Sequence, residues 1–92
     1  MVSYKEDNLS YNQEIIAGLQ ALFHATGGSV RAHVPLERIR KKFQSPYKGM
    51  AKSIIENLVR KGYAYRKKGR STSYGVTKSG IYYLKKIGLI TT

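Results

Sequence analysis

Apolar positions recur at helical spacing in the first third of the chain. Tyr11, Ile15, Leu19, Leu22 and Phe23 follow the rhythm of a helix that buries one face. Residues 10–13 read Ser-Tyr-Asn-Gln, a capping box in which Ser and Gln satisfy free backbone donors. Two consecutive glycines at 27–28 tolerate the left-handed backbone that closes a helix. The pattern predicts a first helix over residues 10–26.

A short extended segment and a second helix follow. Residues 29–34 alternate weakly between polar and apolar, which predicts a short strand or extended segment before Pro35. Proline suits the first turn of a helix, and Leu36, Ile39 and Phe43 are spaced i, i+3, i+7. We therefore expect a second helix over residues 35–43.

A third helix separates its two faces cleanly. Ser45 is placed to cap it and Pro46 to occupy its first turn, while Gly62 follows its last residue, Lys61. The helical wheel puts the apolar side chains on one half: Met50, Ala51, Ile54, Ile55, Leu58 and Val59. The other half holds Gly49, Lys52, Ser53, Glu56, Asn57 and Arg60.

After Gly62 the period of the pattern changes to two, which is typical of strands. Tyr63 and Tyr65 are predicted to face the core, and Tyr74 and Val76 to return on a second strand. Residues 68–72 form the intervening turn, so the segment is a β-hairpin with a basic, polar tip.

A last helix completes one domain over residues 1–92. Thr77 is placed to cap this helix, and Ile81, Leu84 and Ile87 form its predicted buried line. Residues 1–9 and 88–92 are predicted tails, and no internal repeat or inter-domain linker interrupts the chain.

Charge narrows the range of partners. Seventeen Lys and Arg stand against five Asp and Glu, which gives a net charge of +12, and sixteen of the basic residues follow Gly28. Self-repulsion of this size is explained most simply by a polyanionic partner. A membrane is disfavoured because tryptophan is absent and no stretch approaches the ~20 apolar residues of a span. The expected location is cytoplasmic or nucleoid-associated.

Catalytic chemistry is disfavoured. The chain has no cysteine, so disulfides and thiolate sites are excluded. His24 and His33 lie in separate predicted elements, and the five acidic residues are too scattered to form an acid/base pair or a metal cage. We expect neither an enzyme nor a cofactor or metal.

The order helix, short strand, helix, helix, hairpin, helix is an α+β arrangement. Residues 54–63 resemble the end of a recognition helix entering a wing strand, and residues 34–39 the start of the helix before it. Residues 74–84 are similar to the Tyr-x-Leu-Thr-x-x-Gly-x-x-x-Leu close of many regulators. The chain thus resembles the winged helix-turn-helix family, in particular compact archaeal, bacterial and viral transcription regulators, most specifically from Leu36 to Leu84. No ligand domain accompanies it, so no small-molecule ligand is expected.

The resemblance implies that the third helix enters the major groove of duplex DNA. Its candidate contacts are Tyr47, Lys48, Gly49, Lys52, Ser53 and Glu56. Gly49 costs about 1 kcal/mol in a helix, which either close approach to DNA or a first-turn position would justify. Glu56 can accept from cytosine N4, but an intrahelical pair with Lys52 or Arg60 is favoured.

The hairpin supplies the wing. Its candidate contacts to backbone or minor groove are Arg66, Lys67, Lys68, Gly69, Arg70, Ser71 and Thr72. Protection of an edge strand is the alternative reason for such a charged tip. Candidate phosphate contacts elsewhere are Arg31, Arg38, Arg40, Lys41 and Lys42, for which an ordinary solvated face is an equal alternative.

The chain has eight tyrosines, which suit an alternative function in which the protein binds single-stranded nucleic acid by stacking bases on these rings. Core positions are favoured for Tyr11, Tyr63, Tyr65 and Tyr74, whereas Tyr47, Tyr82 and Tyr83 are undetermined, and either of the last two suits a dimer face.

We therefore expect a sequence-specific regulator that binds double-stranded DNA. We also expect a homodimer, for which the first helix and the apolar Ile87, Leu89 and Ile90 are the available surfaces. The alternatives are an architectural chromatin protein or an RNA- or ribosome-associated winged helix, and a module that binds an acidic protein.

Overall fold

The protein, seen in a computed structural model, is described over residues 2–90 for the backbone and 13–90 for side chains. Its elements are α1 (Val2–Thr26), β1 (Val34–Pro35), α2 (Leu36–Arg40), a 3-10 helix (Tyr47–Met50), α3 (Ala51–Lys61), β2 (Ala64–Lys67), β3 (Ser73–Val76) and α4 (Lys78–Lys86). The predicted order of elements is confirmed, although several boundaries differ.

The first helix is longer than predicted. It begins at Val2, so the predicted tail over residues 1–9 is wrong for residues 2–9, and Ser10 lies inside the helix. Residues 2–17 contain no glycine or proline, so nothing in the sequence interrupts the helix before Gly18. The core position predicted for Tyr11 lies outside the described side chains. Gly27 and Gly28 end the helix as predicted, with φ values of 68° and 81°.

The predicted strand over residues 29–34 is reduced to two residues, Val34–Pro35. In the segment before β1, backbone carbonyls accept hydrogen bonds from a side chain and not from a neighbouring strand. The Tyr65 hydroxyl lies 2.9 Å from the carbonyl oxygen of Val30 and 3.3 Å from that of Ala32. The second helix is also shorter than predicted and ends at Arg40. Ile39 and Phe43 are nevertheless buried, as the apolar spacing requires.

The third predicted helix is divided. Tyr47–Met50 forms a 3-10 turn without a side-chain cap, and the α-helix begins only at Ala51. Met50 is consequently 40 % exposed instead of buried, because a 3-10 turn rotates side chains differently from the α-helical wheel. Gly62, at φ 84°, closes the helix as predicted.

The hairpin joins β1 in an antiparallel sheet of order β1-β3-β2 within the described residues. Tyr74 and Val76 face the core, as predicted, and Ala64 pairs with Val76 on the same face. The predicted inward orientation is confirmed for Tyr63, which is partly buried and packs against the core. It is wrong for Tyr65, because the neighbouring Ala64 is the residue of β2 that is buried. Tyr65 instead lies over its cross-strand partner Gly75 on the other face.

The core is built around α1 and α3. Gly18 of α1 lets the two helices approach closely, because a Cβ there would collide with Ile54 and come within 3.0 Å of Leu58. The largest fully buried side chains come from both helices and the elements around them: Ile15, Leu19, Leu22, Ile39, Ile55, Leu58, Leu84 and Val76.

The last helix begins at its predicted cap. The Thr77 hydroxyl accepts from the Gly80 amide (3.1 Å) and donates to the Gly62 carbonyl (2.7 Å), so one side chain ties the start of α4 to the end of α3. Leu84 is buried as predicted, but Ile87 is 39 % exposed, which corrects its assignment to the buried line.

Residues 88–90 close α4. Gly88 takes a left-handed φ of 82°, and the Leu89 amide bonds back to the Leu84 carbonyl (3.0 Å), an arrangement typical of glycine-terminated helices. Ile90 packs partly against the core, whereas Leu89 is exposed. Part of the predicted C-terminal tail is therefore attached to the domain.

We expect Gly80→Ala to destabilise the fold. An added Cβ would collide with the Tyr63 carbonyl oxygen and come within 3.0 Å of Leu19 and Val76. Overpacking of this kind costs about 1–3 kcal/mol. Urea unfolding followed by circular dichroism measures the loss.

Gly49→Ala is the matched control, since its Cβ would meet nothing within 4 Å and its φ is not left-handed. We expect its midpoint to be no lower than that of the wild type, because alanine is favoured over glycine in a helical turn. Equal midpoints for the two variants would contradict this account of Gly80.

Candidate nucleic-acid interface

The third helix and the hairpin lie side by side, and the start of the helix is at the same end as the tip of the hairpin. α3 runs toward Gly62, whereas β2 runs away from it. A contact holds the two elements together along this course: a Glu56 carboxylate oxygen lies 2.6 Å from the Arg66 guanidinium. The start of α3 and the turn at residues 68–72 therefore lie at the same end of the molecule, away from Gly62.

Glu56 is the centre of this link. Its second carboxylate oxygen accepts a 2.7 Å hydrogen bond from the Tyr74 hydroxyl, and Arg66 and Tyr74 are cross-strand partners in the hairpin. One carboxylate thus bridges α3 to both wing strands. The expected intrahelical pair is wrong: the ion-pair partner is Arg66, and Lys52 acts only through its charge.

The surroundings of Glu56 keep it ionised. The Tyr74 hydrogen bond is the main cause that lowers the pKa of Glu56 below its usual 4.5, and Arg66 and Lys52 act in the same direction against the opposing effect of burial. Burial, followed by the bond to Glu56, raises the pKa of Tyr74 above 10.0. At neutral pH the pair is therefore an anion and a neutral donor.

The predicted recognition residues fall into two groups. Lys48, Gly49, Lys52 and Ser53 are exposed, at the 3-10 turn and the first turn of α3. Tyr47 is partly buried and packs against the core, and Glu56 is committed to the wing. The structure brings the exposed four together, while the other two support them.

The seven predicted wing residues are all exposed. Arg66 nevertheless belongs to the link with Glu56. The other exposed cations are Lys67, at the end of β2, and Lys68 and Arg70, in the turn. Ser71 and Thr72 place hydroxyls beside them.

The predicted phosphate contacts are spread around α2. Arg38, Lys41 and Lys42 are exposed on or just after the helix, and Arg40 pairs with Glu37 one turn earlier. Arg31 is exposed in the segment before β1. These side chains extend the basic surface without forming a site of their own.

His33 also belongs to this surface, although no sequence pattern indicates it. Its Nδ1 lies 2.8 Å from the Ser73 hydroxyl, in an open cleft of about 330 Å³ shared with wing residues Lys67, Lys68 and Arg70. The pairing of Pro35 with Ser73 creates this proximity, and no local pattern reveals a contact between residues 40 positions apart. The side chain adds a polar group to the wing's inner edge.

The described residues hold no group of three or more His, Asp or Glu that is arranged to bind a metal ion. Among the described helices none has the length and apolar character needed to cross a bilayer.

No family model matches the sequence, and no curated protein matches it either. The structure is similar to that of a protein described as a possible HxlR family transcriptional factor from Thermoplasma volcanium, with a TM-score of 0.58 and 16 % identity. The match covers 80 % of this chain and 69 % of that chain. This likeness confirms the predicted fold class, a mixed winged-helix arrangement with an antiparallel sheet.

We expect Glu56→Gln to destabilise the protein at neutral pH by about 1 kcal/mol, because hydrogen bonds to a partly buried charge stabilise a fold. The pKa of Glu56 is lowered on folding, so its contribution is present above pH 4.5 and is lost as pH falls through the folded-state pKa. Urea unfolding at pH 7 and at pH 3 measures both stabilities, and the difference between wild type and variant should shrink at the lower pH.

Glu37→Gln serves as the control, since Glu37 also pairs with an arginine but its side chain is 75 % exposed. Such surface pairs contribute little, so its free energy of unfolding should stay close to the wild type. A Glu56→Gln effect as small as this, or one that persists undiminished at pH 3, would contradict the role of the link.

Proposed function

We propose that the protein is a sequence-specific transcription regulator that binds duplex DNA, with the start of α3 in the major groove and the wing on flanking backbone or minor groove. The observation that carries this proposal is the position of two exposed basic surfaces at one end of the molecule, joined by Glu56. A groove-sized helix with a basic strand pair beside it matches the shape and charge of duplex DNA.

The charge of this half supports the proposal. Glu37 and Glu56 are the acidic residues after Gly28, and each is paired with an arginine. Most of the basic side chains are exposed, among them Lys48, Lys68 and Arg70, and this half carries a large excess of positive charge. Phosphate neutralisation with release of counterions uses such a surface.

Gly49 also supports it. A Cβ at this position would meet nothing within 4 Å, and the backbone is not left-handed. Neither packing nor backbone geometry of the domain requires glycine there, whereas a helix pressed into a groove does favour a residue without a side chain.

The proposed roles follow from position. Lys48, Lys52 and Ser53 reach base edges and adjacent phosphates, and the cations of the wing hold the backbone or enter the minor groove. The side chains around α2 add affinity without sequence preference. The Thermoplasma volcanium neighbour, whose description names a transcriptional factor, is consistent with this role, and the proposed activity is binding, without catalysis or a cofactor.

We propose that the regulator acts as a homodimer. α1 is 25 residues long, and Ile87 and Leu89 are exposed at the end of α4. Apolar side chains of this kind gain free energy when a second copy covers them. Two copies would then read paired half-sites.

The wing variant Lys68→Ala/Arg70→Ala should reduce the salt dependence of duplex binding. Each phosphate contact contributes about −0.9 to the slope of log K against log salt, so losing two contacts should flatten it by up to about 1.8. Fluorescence anisotropy over a series of salt concentrations measures the slope.

Arg60→Ala/Lys85→Ala is the charge-matched control. Both residues are exposed and lie in the last turn of a helix, Arg60 in α3 and Lys85 in α4, and neither belongs to the proposed contact surface. The control should keep most of the wild-type slope. Equal flattening by both variants would remove the wing from the interface.

Selection of bound duplexes from a random pool should yield a recurring motif. Specific complexes are typically 10³–10⁷ tighter than non-specific ones, and a dimer should recover paired half-sites about one helical turn apart. Sequencing of the bound pool provides the readout. If random duplex competes as well as any selected site at every salt concentration, the protein has the architectural role instead.

A further inference from the structure

A second cleft opens on α4, apart from the interface proposed for duplex DNA. It has a volume of about 480 Å³. Its walls are three tyrosines, two lysines and a serine: Tyr63, Lys78, Ser79, Tyr82, Tyr83 and Lys86. The α4 members are spaced i, i+1, i+4, i+5 and i+8, so they form one stripe along the helix.

The aromatic side chains form a platform. The rings of Tyr63 and Tyr83 lie 5.1 Å apart between centroids and are tilted by 34°, and both are partly buried. Tyr82 is 67 % exposed beside them. An exposed ring next to two others offers an aromatic surface on which a flat partner gains free energy by stacking.

The charges decide what the partner is. Lys78 and Lys86 stand at the two ends of the tyrosine stripe, and residues 77–90 contain no acidic residue. A second copy of this chain docked on the same stripe would bring lysine against lysine. An aromatic ligand with a negative charge satisfies both the platform and the lysines.

We propose that this cleft binds a nucleotide unit, with the base stacked on the tyrosines and its phosphate held by Lys78 or Lys86. Aromatic rings interleaved with cations are the means by which proteins hold single-stranded nucleic acid without reading its sequence. The proposal does not rest on duplex binding by α3 and the wing.

The cleft also lies apart from the wing turn. β3 runs from the turn toward Thr77, whose amide bonds to the Tyr63 carbonyl (3.1 Å). Tyr63 and Lys78 therefore stand at the end of the sheet opposite residues 68–72. A duplex held by the wing leaves this cleft accessible, so the protein would hold a duplex and an unpaired strand together.

The test measures binding of a fluorescein-labelled 12-mer of deoxythymidine to the full chain by anisotropy. Tyr82→Ala should weaken binding roughly fivefold or more, since loss of one stacking partner has an effect of at least this size. Tyr82→Phe keeps the ring and should restore binding to within about twofold of the wild type. Because Tyr82 is mostly exposed, neither change should unfold the domain, and circular dichroism checks this.

Lys86→Ala and Lys85→Ala form a matched pair, since both lysines are exposed in the last turn of α4 but only Lys86 lines the cleft. Lys86→Ala should weaken binding about threefold and Lys85→Ala by less than about twofold, as expected for one phosphate contact against none. Equal losses would overturn the proposal, because the strand would then respond to net charge alone. An unchanged affinity for Tyr82→Ala would also overturn it.

Two further experiments make distinctions that the variants do not. One distinguishes a free nucleotide from a single strand as the ligand, and the other distinguishes this cleft from the proposed duplex site. Calorimetry with deoxythymidine monophosphate distinguishes a free nucleotide from a strand: binding of the monophosphate at comparable affinity assigns the cleft to the free nucleotide, and binding of the 12-mer alone assigns it to a strand. Excess unlabelled duplex should leave the labelled strand bound, and the wing variant Lys68→Ala/Arg70→Ala should still bind it. Displacement of the strand in proportion to added duplex would show one shared site and overturn the inference.

Discussion

The close packing of α3 against α1 is the constraint on which the rest of the domain depends. Gly18 removes the side chain that would hold the two helices apart, and Ile54 and Leu58 occupy the space. Burying the apolar half of α3 fixes its rotation, because an amphipathic helix has one orientation that removes its apolar side chains from water. The polar half is then turned outward as a consequence of the core, before any nucleic acid is present.

The position of the wing depends on that rotation. Glu56 lies at the boundary between the two faces of α3, partly buried, where it meets Arg66 and Tyr74. An unpaired carboxylate there would carry a desolvation cost, so the hairpin is favoured where both partners reach it. Two short strands have little stability of their own, and this bond together with the pairing to β1 gives them a fixed direction.

The distribution of charge connects this architecture to function. Where acidic residues occur after Gly28, they are used to orient arginines, and the other basic groups remain on the surface around α2, α3, the turn and α4. Repulsion among them is a standing cost to the folded state that a polyanion relieves. The tyrosine stripe on α4 differs from these basic surfaces because it combines lysines with aromatic rings. It lies at the end of the sheet opposite the wing turn.

The sequence by itself determined the order of the elements, the fold class and the exposure of most basic side chains. Amphipathic spacing, glycines 28 and 62 and the Thr77 cap are local signals, and each acts within a few residues through backbone geometry or burial of a face. The exposure of Lys52, Ser53 and the basic turn followed from the same patterns.

Tertiary structure decided the rest. Which face of β2 is buried depended on the pairing of Ala64 with Val76, because a strand of alternating small and aromatic residues is compatible with either orientation until its partner is known. The partner of Glu56, the contact of His33 with Ser73 and the tyrosine cleft all join residues distant along the chain. Local periodicity carries no information on such contacts, since they are fixed only when helices and strands pack around the common core.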